Sequence, residues 1–306
     1  MSAAATFGIS ECVMVDAMVQ AEQHHVFLAH SEESLNQDMP VCELIEYRRG
    51  QWSPIAAWDW QAVALVDLPG DAASGLVVLG RDGQIGCWSD GQASELVLDP
   101  EFLLGPFRGM RRFGTMIVAY GMGREVYLRQ AGGDWVRSML GIDPGVGQPS
   151  LRPGGFNGMA VDSKGLLTAA GRRGEIWVFE GGTWRRVDTP TNIMLHDLVA
   201  CDDGQLYACG LAGTLLAGQG DTWGVVDFDG PALDFLAAGW FNGRLYLADG
   251  HSLRVMSGNV LDLVDHGTEE IVPCSAIASG PGVMLSIAGQ EVWESQDGLS
   301  WQSILG

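Results

Sequence analysis

The pair best suited to chemistry is His196-Asp197, an imidazole beside a carboxylate. Histidine titrates near neutral pH and serves as a general base, a proton carrier or a metal ligand. Arg108, Asn157, Asp234 and Ser275 occupy corresponding positions in neighbouring segments. Gathered around His196 and Asp197, they would form a polar ring able to hold a metal or a small molecule; the competing reading is a wet channel whose side chains bond one another and water. His24, His25 and His30 offer imidazole as well, but adjacent strand residues point to opposite faces, which favours a packed strand over a metal cluster. Trp58 and Trp60 flank Asp59; such rings either anchor a partner or fill a core. Arginines are concentrated in one part of the chain, at Arg108, Arg111, Arg112, Arg172, Arg173, Arg185 and Arg186, and their forked donors suit carboxylate or phosphate.

Ready-made catalytic sets are missing from the sequence: it has no H-E-x-x-H, no glycine-rich phosphate loop ending in Lys-Ser or Lys-Thr, and no G-x-S-x-G elbow. The pieces 227–230 and 262–266 resemble calcium-loop fragments but lack the remaining oxygen ligands at loop spacing. The six cysteines are dispersed without a C-x-x-C pair, so buried free thiols are expected rather than zinc or a disulfide framework. No metal and no cofactor is expected.

The elements that must position these residues come from a repeat. An apolar run ending in Gly recurs at Gly80, Gly121, Gly171, Gly210, Gly250 and Gly289, spaced 41, 50, 39, 40 and 39 residues apart. One apolar run precedes each of these and two follow, the last usually opened by Trp. Four strands per repeat of about 40 residues make a propeller blade. Asp-Gly and Asn-Gly at Asp203-Gly204 and Asn242-Gly243 provide the positive φ of tight hairpins. The spacing therefore predicts an all-β, single-domain chain over 1–306, a seven-bladed β-propeller of four-stranded antiparallel blades at 10–58, 60–100, 106–142, 155–189, 193–228, 231–266 and 271–306. Inner strands line a central channel, which is where the His196 ring of residues would lie. Blade one is the least regular, and insertions stand at 31–40 and 141–155. Whole blades at both ends imply closure by packing of blade one on blade seven.

The last blade ends Ser295-Gln296-Asp297-Gly298-Leu299-Ser300-Trp301, which resembles a shortened Asp-box, the S-x-D-x-G-x-T-W turn of sialidases and photosystem II assembly factor-like propellers. Fragments persist as Gly182-Thr183-Trp184, Gly220-Asp221-Thr222-Trp223 and Gly133-Asp134-Trp135. The resemblance covers nearly the whole chain at the level of the WD40/YVTN/BNR-like propeller superfamily, and implies fold rather than chemistry. Sialidase activity would further require an arginine triad, a Tyr nucleophile with its Glu, and an Arg-Ile-Pro type motif near the N-terminus. The nearest match to that motif is Leu151-Arg152-Pro153, in mid-chain.

The chain carries 38 acidic and 17 basic residues, a net charge of −21. This argues against nucleic-acid binding, which needs clustered cations. Residues 1–107 hold 3 basic and 16 acidic groups, 108–186 hold 12 and 6, and 187–306 hold 2 and 16. A closed ring would then join both acidic ends into one arc, with Asp227, Asp229, Asp262, Asp265, Glu269 and Glu270 in it. No segment has the ~20 apolar residues of a membrane helix, and the N-terminus lacks a basic, apolar leader; a cytoplasmic location and no membrane partner are expected. The expected function is non-enzymatic: an acidic inhibitor or immunity-type protein neutralising a basic protein such as a toxin. An assembly factor holding a basic client is the first alternative. A channel-based glycan hydrolase or lyase, and a sensor of a small ligand or metal, are the others.

Overall fold

The computed structural model describes residues 8–36, 40–68, 75–99, 103–130, 133–142 and 154–305. Leu151, Arg152, Pro153 and most of the 141–155 insertion lie outside them. Seven four-stranded antiparallel sheets follow one another along the chain, each built from four consecutive strands. Glycine-punctuated runs this short cannot bury an apolar face alone, so each sheet must stack on its neighbours. Seven apolar clusters do this, one at every junction between blades.

The junction of blades one and seven completes the ring. Met14, Phe27 and Ile45 of blade one pack there against Val283, Leu285 and Ile287 of blade seven. Met14 N–H donates to the Gly289 carbonyl at 2.9 Å, and His25 is hydrogen-bonded to Glu294 at 2.7 Å. Closure thus rests on packing between whole blades. His24 instead meets Glu46 on its own blade, so the two adjacent histidines do diverge.

Blade one runs Cys12–Ala21, His24–Ser31, Cys42–Arg48 and Gln51–Trp58. Its insertion contains a short helix, Glu32–Asn36. The hairpin of blade six turns at Asn242 (φ 49°) and Gly243 (φ 74°), a left-handed pair that matches strand twist. In the Asp-box turn, Asp297 accepts backbone N–H bonds from Leu299 at 2.8 Å and Ser300 at 2.7 Å. Those bonds hold its carboxyl down to about 2.

Candidate functional site

Five inner strands share one irregularity that builds the channel. In the pairing of each inner strand with its neighbour one residue is skipped: Val15, Val63, Arg108, Asn157 and His196. A bulge leaves its extra residue unpaired and re-aims it. Leu236 and Ser275, donating N–H to the equivalent carbonyls of Ala248 and Ile287, take the same position in blades six and seven. These seven side chains all line a cavity of about 1030 Å³ along the ring axis. Three of the seven are apolar, Val15, Val63 and Leu236, and four are polar, Arg108, Asn157, His196 and Ser275.

Asp234 was expected in this ring, but it stands outside the cavity lining. The blade-six inner strand is Ala237–Phe241, two residues later than the apolar run suggests, so Leu236 occupies the mouth. Asp234 instead accepts the Ala212 N–H at 2.7 Å and caps a neighbouring turn.

One step deeper, Asp16 and Asp197 act as twin clamps. Asp197 accepts N–H bonds from Leu198 at 2.8 Å and from Ala238 of blade six at 3.1 Å. Asp16 accepts from Ala17 at 2.9 Å and from Leu65 of blade two at 2.8 Å. Each carboxylate therefore ties its blade to the next. Asp197 has a further partner, Arg111 of blade three, 3.0 Å away across the channel. Arg111 also bonds the Tyr120 hydroxyl, which occupies the space that a side chain at Gly109 would need.

Asp16, unlike Asp197, has no salt bridge among the described residues. Burial pushes its carboxyl up to about 6, against the two N–H bonds and the charge of Arg111. Burial also holds the His196 imidazole low, with Arg108 adding to the effect and Asp234 opposing it. Asn157 donates to the Leu195 carbonyl at 2.7 Å, and Arg108 faces the mouth from an exposed position. The expected set is thereby divided. Arg108, Asn157, His196 and Asp197 do converge on the channel, yet Asp197 has both oxygens engaged by its own chain and serves the ring's architecture. Among the described residues no group of three or more His, Cys, Asp or Glu is arranged to hold a metal.

The sequence reading includes Arg111 only as one of the clustered arginines, and it includes neither Asp16 nor Tyr120. Asp16 had a signal, since Val15-Asp16-Ala17 aligns with His196-Asp197-Leu198 once the bulges are matched.

Trp58 and Trp60 require a correction. Both are only 7% exposed, their ring centroids 5.6 Å apart, within the cluster joining blades one and two. They are core, because both rings pack among apolar residues of blades one and two where the first blade ends at Trp58.

A second region lies on the outside of blades five and six. Asp227, Asp229, Asp262, Asp265, Glu269 and Glu270 are all exposed. The 227–230 link runs beside the outer strand Val260–Leu263, with Asp229 N–H donating to the Asn259 carbonyl at 2.7 Å and Leu261 N–H to that of Asp229 at 2.9 Å. Exposed apolar side chains are interspersed: Val225 at 57%, Leu263 at 44% and Ile271 at 62%. Across residues 221–270 nine acidic residues face two arginines, and Arg254 of those two is paired with Asp249. Asp221 meets Arg185, but Asp227, Asp229, Asp262, Asp265, Glu269 and Glu270 have no salt bridge among the described residues.

No family model matches the chain. The immune protein Tsi7 of Pseudomonas aeruginosa is 30% identical over 284 residues, covering 90% of this chain and 91% of that protein. Among solved structures, YCF48 bound to a D1 peptide superposes with a TM-score of 0.65 at 16% identity, covering 94% of this chain and 90% of that one. The WD40 propeller domain of Doa1 gives 0.65 at 12% identity, covering 94% and 91%. These two likenesses establish the propeller fold.

Proposed function

The chain belongs to the family of the immune protein Tsi7, and from that premise we propose that it neutralises a basic protein toxin through the acidic outer edge of blades five and six. The observation that carries this reading is the mixture on that edge of uncompensated carboxylates with exposed Val225, Leu263 and Ile271. Carboxylates steer a cationic partner and reject wrong ones, while apolar side chains contribute burial once contact is made. Such a surface suits a folded basic protein.

The role is binding, not turnover. A glycoside hydrolase would need two carboxyl groups free to face the substrate. The two channel aspartates, Asp16 and Asp197, direct their oxygens to backbone N–H groups instead. Although the raised carboxyl of Asp16 is a property shared with catalytic acids, its bonds make it a clamp between blades. The site of action is the cytoplasm, where a toxin would meet its target.

Co-purification from the native host tests the proposal. A basic protein should be retained at low salt and released as ionic strength rises. Failure to retain any partner at low salt, or retention indifferent to salt, contradicts it.

A further inference from the structure

The link from blade six to blade seven is held down by one histidine. Residues 265–271 are all exposed except His266, which is only 7% exposed. Its ring meets two indoles of blade seven. That of Trp293, on the strand Glu291–Ser295, stands edge-on with centroids 5.4 Å apart, and that of Trp301, in the Asp-box turn, lies tilted at 4.9 Å. The link's own bonds are local: Gly267 N–H donates to Asp265 at 2.7 Å, and the Thr268 hydroxyl to the Glu270 carbonyl at 2.7 Å. Such bonds shape a loop without attaching it to the next blade. The ring is the anchor, and the loop it anchors carries Asp265, Glu269, Glu270 and Ile271 of the acidic edge.

This seat suits a neutral ring. The imidazole bonds the Val264 backbone, while its buried Nε2 has no partner among the described groups. A proton on Nε2 would become a buried N–H without an acceptor, which costs its desolvation in full. The Nε1 of Trp301, likewise unpartnered, is itself a donor and offers no help. Carboxylates of the packed elements are engaged elsewhere, Glu291 with Trp293 Nε1 at 3.1 Å and Asp297 with the backbone of its own turn. Tyr246 and Cys274 share the junction cluster with Trp301; burial raises both and keeps them neutral, and Arg244 bonds the Tyr246 hydroxyl. Burial holds the imidazole below the ordinary histidine range, against the Val264 bond and the charge of Asp265. Turned out into water, by contrast, a charged ring would stand on a link rich in carboxylates.

We propose that His266 is the positioning residue of this link: it seats the link while the imidazole is neutral and releases it, with three of the six edge carboxylates, when the imidazole takes up a proton. The seat is complete above about pH 6.5 and is lost as pH falls through the lower value of the folded ring. Weaker capture of a partner in acid follows, a consequence that rests on the outer edge being the binding surface.

Cleavage of the free chain after Glu269 or Glu270 by a glutamate-specific protease reads the link without any partner, so this inference and the neutralising function can fail separately. His266→Phe keeps an aromatic plug that cannot titrate. Parent and His266→Phe should be cut at equal rates at about pH 7.5, and at about pH 5 the parent should be cut about tenfold faster, the factor carried by one pH unit. Comparing the two at one pH cancels the protease's own pH dependence. His266→Ala, without a plug, should be cut fast at both, and melting curves confirm that each variant is folded. Equal rates for parent and His266→Phe at the lower pH, or His266→Ala as resistant as the parent at the higher, would overturn the assignment. NMR titration of the parent stands without any variant: the His266 ring should titrate below about 6.5, and titration at or above that value overturns the assignment too.

Discussion

The central channel and the outer edge of blades five and six are both rich in acidic groups, but they differ in what those groups meet. In the channel, Asp16 and Asp197 each bridge two blades through backbone N–H bonds, and Asp197 also pairs with Arg111. On the outer edge, Asp227, Asp262, Asp265, Glu269 and Glu270 are exposed without a cation among the described residues. Charges answered by the chain itself are architecture. Charges left unanswered are available to a partner. Substitution in the first region should therefore change stability, and in the second association.

The sharpest way to break this contrast is Asp197→Ala. It orphans two N–H groups and leaves Arg111 without its carboxylate partner, so unfolding stability should fall by roughly 2–5 kcal/mol. Denaturant melts that match the parent would show that the channel carboxylate is not a clamp.

Asp16 should reveal itself through pH. Its carboxyl is raised from 3.8 to about 6 in the folded chain, so between those values the native state keeps a proton that the unfolded chain has released. Stability from this group is thus present below about pH 4, lost as pH rises to about 6, and lower thereafter, by at most on the order of 3 kcal/mol. Unfolding free energies measured from pH 4 to 8 for the parent and Asp16→Asn should diverge in slope over that window. Equal slopes would remove the assignment.

Asp297 has the opposite sign and a smaller effect. Its carboxyl is depressed from 3.8 to about 2, so its contribution is present above pH 4 and lost as pH falls through about 2. Asp297→Ala should lower the melting temperature at pH 7 less than Asp197→Ala does, because the turn it holds is exposed. The smallest change belongs to Glu269→Lys with Glu270→Lys, where stability should stay within about 0.5 kcal/mol. A large loss there would make the outer edge structural too.

The fold was readable because repeating blades repeat their punctuation. The Gly closing the second strand of blades two to seven and the Asn242-Gly243 hairpin mark strand ends directly, and even irregular blade one has strands close to the expected ones. The site was readable where a polar residue coincides with a bulge, as at Arg108, Asn157 and His196. Elsewhere it was not. In blade six the approach to the inner strand is apolar from Phe235 onward, so the strand start is invisible and Asp234 was misplaced by the register. Blade one lacks the terminal Gly, its second strand ending at Ser31 before a helix, which hides the alignment of Asp16 with Asp197. Trp58 and Trp60 show a further gap, since no local pattern distinguishes a ring facing solvent from one facing the next blade.

The most direct test of the neutralising edge is stopped-flow association with the purified partner at about 50 and 500 mM salt. The comparison is between the parent and the variant carrying Asp227→Lys, Asp229→Lys, Glu269→Lys and Glu270→Lys. The parent rate should fall about tenfold or more with salt, and the variant should be slow at both salt concentrations, as expected for steered encounter. Equal rates for the two proteins at low salt would contradict binding through this edge.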